Sequence, residues 1–214
     1  LVVMQFSISI FLIIGTMIVY KQISVGQNRP IGYNRDGLVS MSVSPTMHKN
    51  FETIRQELKN AGVIVEMTES GSPTTAVWNT NGGFQWEGKD PNQAVDFPNN
   101  SVTWEYGKTI GWKVVQGRDF SREFATDSAA FILNESAVQF IGMKDPIGKI
   151  IRWNDQPYTV VGVVEDMLVQ SPYKPVRPAM WHVSTEQQNV FIMRINPKSS
   201  VNDALAKMEA VIKK

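Results

Sequence analysis

Seven carboxylates, Asp90, Asp96, Glu105, Asp119, Glu123, Asp127 and Glu135, fall close together in the middle of the chain. Paired carboxylates do acid–base work when neighbouring groups push their pKa values apart. The spacing pairs none of these, so they read as solvated loop charges and ordinary ion pairs. His48 and His182 stand far apart, and cysteine is absent. A conventional Ser-His-Asp triad, a His-rich metal site, Cys-ligated zinc, an iron–sulfur cluster and thiol catalysis therefore lack their parts. Both histidines read as surface or strand residues. Gly111, Gly117, Gly142, Gly148 and Gly162 fit neither GxGxxG nor GxxxxGK[ST], so no nucleotide cofactor is expected. Lys plus Arg number 21 against 20 Asp plus Glu, and the net charge of +1 gives no field for a nucleic acid. No catalytic, cofactor or metal residue emerges, and the composition argues against an enzyme.

Aromatic residues say more. Trp78, Phe84, Trp86, Phe97, Trp104, Tyr106 and Trp112 crowd one part of the chain. Such rings either fill a β core or, when exposed, bind sugars, apolar ligands or a protein partner. Trp78, Trp86, Trp104 and Trp112 are the interface candidates. Asn99-Asn100-Ser101 and Asn134-Glu135-Ser136 match the glycosylation sequon, a pattern frequent by chance.

These groups must be held by elements, and the first is plain. Residues 1–20 carry no charge, and at about 1.5 Å per residue they make a rod of about 30 Å, the hydrocarbon thickness of a bilayer. Ser7, Ser9 and Thr16 can bond back to their own helix, and Tyr20 and Lys21 suit an interfacial anchor. A transmembrane helix with its extension is expected over 1–27. A cleaved signal peptide would show an initiating Met, a basic leader and a small-residue cleavage site. The first residue, Leu1, fits a piece of a longer chain instead.

With 43% hydrophobic residues the remainder can build a proper core. Residues 38–43 alternate as a strand; Phe51, Ile54, Leu58 and Ala61 mark one face of a helix over 47–61 that Gly62 ends; 63–67 form a second strand. Strands at 179–183 and 190–195 precede an amphipathic helix over 199–214, on which Val201, Leu205, Met208, Val211 and Ile212 share a face. These pieces predict one two-layer α+β sheet domain. Residues 72–175 interrupt it with a mainly β texture. A hairpin is expected where 74–78 and 84–86 flank Asn79-Thr80-Asn81-Gly82-Gly83, followed by short strands at 102–106, 114–115, 131–133, 147–153 and 158–164. Asn134 can cap a short helix that Gly142 ends.

The runs Gly111-Trp112-Lys113-Val114-Val115-Gln116-Gly117-Arg118-Asp119-Phe120-Ser121, Asn134-Glu135-Ser136, Pro146-Ile147-Gly148-Lys149 and Val160-Val161-Gly162-Val163-Val164-Glu165-Asp166 occur in this order. Together they resemble the periplasmic core domain of MacB-type (MacB/FtsX-like) ABC transporter permeases, particularly the four-helix permeases of Bacteroidetes. The resemblance covers nearly the whole chain. It marks Gly117, Arg118, Asn134, Glu135, Gly148, Gly162 and Asp166 as structural residues: glycines for close backbone approach, Asn134 for a cap, Pro146-Ile147-Gly148 for a turn. It implies a membrane-proximal porter layer over 36–71 and 176–214, and a Sabre-like β insertion over 72–175. It further implies a place in the cytoplasmic membrane with the domain on the periplasmic side, no cofactor of its own, and a separate cytoplasmic ABC ATPase. A second permease copy or half completes a dimer, and a periplasmic adaptor or lipoprotein is a further partner. The mechanism implied is mechanotransmission, serving efflux, lipoprotein release or signalling. An extracytoplasmic ligand-sensing domain of a membrane receptor shares the single span and the α+β composition. A permease requires three more apolar spans after Lys214, and a receptor requires one.

Overall fold

The computed structural model describes residues 2–169, 171 and 173–213. Its first element, α1 (Val2–Asn28), is apolar on all sides. Ser7, Ser9 and Thr16 donate to the carbonyls of Val3, Gln5 and Leu12, so each hydroxyl is satisfied within the helix. Val2–Ser24 is long and apolar enough to cross a membrane, and its most apolar stretch is not buried by the rest of the chain.

Beyond α1 come β1 (Leu38–Ser42), α2 (Pro45–Lys49), α3 (Phe51–Asn60), β2 (Ile64–Ser70), β3 (Thr80–Asn81), β4 (Phe97–Val102), α4 (Tyr106–Ile110) and β5 (Val114–Gly117). They are followed by β6 (Ala130–Asn134), α5 (Glu135–Ile141), β7 (Ile150–Trp153), β8 (Gln156–Val164), β9 (Met180–Val183), β10 (Val190–Ile195) and α6 (Val201–Ile212). Among the described residues these strands make one ten-stranded sheet in the order β1-β10-β2-β4-β9-β6-β8-β5, with β3 on β4 and β7 on β8.

The sheet has two halves. In the first, β1, β10 and β2 are antiparallel, and α3 and α6 bury Phe51, Leu58 and Met208 against Met67, Phe191 and Met193. Ser44 starts α2 by accepting from the Met47 N–H, with Pro45 in the first turn where its missing N–H costs nothing. The second half, β4-β9-β6-β8, is built around Phe84, Phe97, Phe131 and Ile151. The halves meet at one ladder pair, Ser70 with Val102, flanked by Gly71 N–H to Ser101 O at 2.8 Å and Thr103 N–H to Glu69 O at 3.0 Å.

Several expectations are corrected. The helix expected over 47–61 is two helices, because Asn50 leaves helical geometry at φ −100°, ψ 11°. No hairpin joins 74–78 to 84–86: Thr80 and Asn81 pair with β4, and Gln85 bridges to Arg152. The stretch 102–106, expected as a strand, leads into α4, which packs its apolar side on β2 and β10. Residues 179–183, read alongside 190–195, pair instead with β4 and β6, so β9 belongs to the second half of the sheet.

His182 is a strand residue of β9, closed in by the rings of Phe131, Trp153 and Tyr158. Its Nδ1 lies 2.9 Å from Asn99 Oδ1. Burial pushes its pKa down to about 4. An unfolded histidine titrates near 6.5, so the unfolded chain binds the extra proton first. Stability is therefore complete above about pH 6.5 and falls toward pH 4, by about 3 kcal/mol in all. Urea melts from pH 7 to 4 should show this slope, and His182→Gln should flatten it; a wild-type curve level down to pH 5 would contradict the assignment.

Candidate functional site

The seven central carboxylates divide by position. Asp90, Asp96, Glu123 and Glu135 are exposed as expected. Glu105 and Asp127 are buried, and both are salt-bridged. Asp119 takes a hydrogen bond from the Trp112 indole at 3.1 Å, and burial raises its pKa despite that bond and one from the Phe120 N–H. Among the described residues no three His, Asp or Glu side chains gather as metal ligands would.

The candidate tryptophans differ in burial and in their neighbours. Trp112 is a core residue, edge-on to Tyr106 and Trp181, which corrects its reading as an interface ring. Trp86 packs edge-on against Phe97 with Lys89 above it at 5.2 Å. Trp104 lies under the Arg122 guanidinium at 4.9 Å. Trp78 is 54% exposed.

The motif residues are structural anchors. A Cβ on Gly117 would stand 2.3 Å from Val161 O, and one on Gly162 would stand 2.2 Å from Arg118 O. At this crossing of β5 and β8 neither position admits a side chain. Arg118 grips the fully buried Asp127 with two bonds of 2.6 and 2.7 Å, and Asp127 also accepts from the Ser121 N–H. Gly148 turns at φ +81° into a bond with Val160 O. Glu135 sits in the first turn of α5, where a negative charge suits the helix dipole.

Asn134 and Asp166 do more than cap α5. Asn134 Oδ1 accepts from the N–H groups of Ala137 and Ala179, and its Nδ2 donates to Arg177 O at 3.0 Å. The Asp166 carboxylate accepts from the Ser136 N–H at 2.8 Å and its hydroxyl at 2.6 Å. Both ends of the segment from residue 166 to 179 are thus tied to α5 and the end of β6.

That segment meets the chain leaving α1. Arg29 donates to Lys174 O at 2.6 Å, the Leu168 N–H donates to Ile31 O at 3.0 Å, and Gly32, at φ +76°, passes so close that a Cβ there would stand 2.2 Å from Asp166 O. Arg194 of β10 donates to three carbonyls: Thr109 O at 2.7 Å, and Asp36 O and Asn34 O each at 2.8 Å. The Asn34 N–H donates to Ile110 O, and the Ile195 N–H to Gly37 O. The exit of α1 is thereby bonded to both halves of the sheet. Sequence reasoning missed Arg194, although one cation inside the apolar run of β10 was a visible signal. Leu168 carried none, because only the tertiary structure brings it to Ile31, just past α1.

A charged cluster holds the halves together beside this exit. Glu66, almost fully buried on β2, accepts from Arg55 at 2.8 Å and Lys59 at 2.9 Å. Burial by itself raises the carboxyl pKa, but these bonds outweigh it and hold Glu66 at about 2. Arg122 reaches from the second half to Glu105 at 2.6 Å and also to Glu52 of α3.

A helix long and apolar enough to cross a membrane is bonded through its exit to a divided α+β sheet. Residues 5–211 match the MacB-like periplasmic core domain, and the chain belongs to that family. Over 119 residues, half of this chain, it is 28% identical to the macrolide export ATP-binding/permease protein MacB of Campylobacter fetus subsp. fetus (strain 82-40). Over 78 residues, 35% of the chain, it is 35% identical to the protein of that name from Hahella chejuensis (strain KCTC 2396). The matched stretches are 18% and 12% of those proteins' lengths. The fold superposes on the periplasmic region of MacB from Actinobacillus actinomycetemcomitans with a TM-score of 0.57, at 15% identity over 85% of each chain. On the extracellular domain of the noncanonic ABC-type transporter YknZ from Gram-positive bacteria the TM-score is 0.51, at 18% identity over 78% of this chain and 86% of that one.

Proposed function

We propose that this chain is the mechanical element of an ABC transporter permease, held in the cytoplasmic membrane by α1 with its sheet domain on the periplasmic side. Nucleotide-driven movement of the membrane helices, powered by a separate ABC ATPase, is passed through α1 to the domain, which moves as a rigid body against a second copy. The observation that carries this reading is the bonded exit of α1. Between Arg29 and Gly37 the chain is tied to the 166–179 segment, to α4 and to β10, so a shift or tilt of the helix displaces the sheet with it. Coupling of this kind needs two sites and a bistable element between them, here the pair of domains on their helices. Efflux, extraction of a lipoprotein, or signalling through an adaptor would each use the same movement.

The test uses the full permease with its ATPase in nanodiscs, carrying spin labels at Trp78→Cys in both copies. ATP should change the label-to-label distance in the parent protein. Four glycines inserted after Asn28 should abolish that change while ATP hydrolysis stays within about twofold, because a flexible linker passes little force. A distance indifferent to ATP in the parent, or a change that survives the insertion, would overturn the proposal.

A further inference from the structure

The height of the 166–179 segment above the membrane follows from α1. Val2–Ser24 is 23 residues of apolar helix, about 34 Å at 1.5 Å per residue, against a hydrocarbon thickness of about 30 Å. Gly26, two residues farther on, touches the ring of Tyr173: a Cβ there would stand 2.7 Å from the phenol oxygen. Tyr173 therefore lies about 3 Å beyond the apolar span, within a headgroup layer about 5–7 Å deep. It is 63% exposed, and tyrosine favours this depth because its ring is apolar and its tip polar.

Beside Tyr173 a cavity of about 300 Å³ is walled by Met167, Leu168, Val169 and Val176, with Lys174 and Arg177 among its lining. Both cations are exposed, and among the described residues neither makes a salt bridge to an Asp or Glu. The nearby Asp166 carboxylate is committed to Ser136. Lys21, five residues before Gly26, adds a further positive charge about 7 Å closer to the bilayer centre. An apolar wall with cations at headgroup height matches a glycerophospholipid of negative charge, phosphate toward the cations and glycerol and upper acyl carbons toward the wall.

We propose that the cavity formed by Met167, Leu168, Val169, Lys174, Val176 and Arg177 binds the headgroup of an anionic phospholipid in the leaflet beneath the domain. This fixes the 166–179 segment to the membrane at the point where it grips α1. The inference rests on α1 crossing the bilayer, and its test separates the two. Fluorophores are attached singly at Pro175→Cys and at Phe11→Cys in the full permease, in nanodiscs of phosphatidylcholine alone or mixed with phosphatidylglycerol. Nitroxide lipids labelled at the headgroup or deep in the acyl chain serve as quenchers.

The probe at residue 11 should be quenched by the deep nitroxide in both lipids. The probe at residue 175 should be quenched by the headgroup nitroxide, at least twofold more with phosphatidylglycerol present, and Lys174→Ala with Arg177→Ala should erase that gain. The Lys174 carbonyl that Arg29 uses survives the substitution, so the strap stays in place. Normal quenching at residue 11 with none at 175, or equal quenching at 175 in both lipids, overturns the lipid site and leaves the span standing. No quenching at residue 11 overturns the span and the site together.

Discussion

Replacing Arg194 with alanine should lower the melting temperature of the nanodisc-held chain by about 10 °C. The guanidinium serves three backbone carbonyls at once, from α4 and from the two turns between α1 and β1. Hydrogen bonds from a charged donor contribute about 1.5–3 kcal/mol each, but a part-exposed site lets water recover some of the loss. A net cost of about 4 kcal/mol at about 2–4 °C per kcal/mol for a chain of this size gives the stated shift. Arg194→Lys should recover little, since an ammonium cannot span three acceptors in the plane of a guanidinium. Tryptophan fluorescence melts read the effect. Hydrogen exchange at the Asn34 amide, bonded to Ile110 O, should quicken in step. A fall of under 3 °C would show that the strap is held by something else.

Asn134→Ala should cost about 3 kcal/mol. One amide caps α5 and also holds Ala179 N–H and Arg177 O, from the far end of the 166–179 segment. Losing the cap costs about 1 kcal/mol, and leaving the buried Ala179 N–H without a partner costs about 1–3 kcal/mol more. Asn134→Asp keeps the acceptor for both N–H groups but turns a carboxylate oxygen toward the Arg177 carbonyl, so it should fall between wild type and alanine. Chemical melts of the three proteins give the order directly. An aspartate variant as weak as alanine would mean that the Arg177 bond, rather than the cap, dominates.

The length and apolar character of α1 were legible from composition, because twenty uncharged residues and three self-satisfying hydroxyls suit a long apolar helix. The stops at Gly62 and Gly142 and the α5 cap of Asn134 were legible because each acts within a few residues of itself; the Asn134 bonds to Arg177 and Ala179, more than forty residues away, were not. Family motifs singled out Gly117, Gly162 and Asp166, which stand at close backbone approaches and at the Ser136 bonds. Pairings across long stretches of chain were not legible. Strand β9 reads equally well beside β10 or beside β6, since a short apolar strand carries no mark of its partner. Asp127 and His182 look like any loop or strand polar group until Arg118 and the aromatic wall close over them. The join of the two sheet halves at Ser70 and Val102 and the bonding of Arg194 to the α1 exit depend on contacts between residues up to 160 positions apart. Local residue types settled which elements form; burial and hydrogen-bond completion between distant elements decided where they meet.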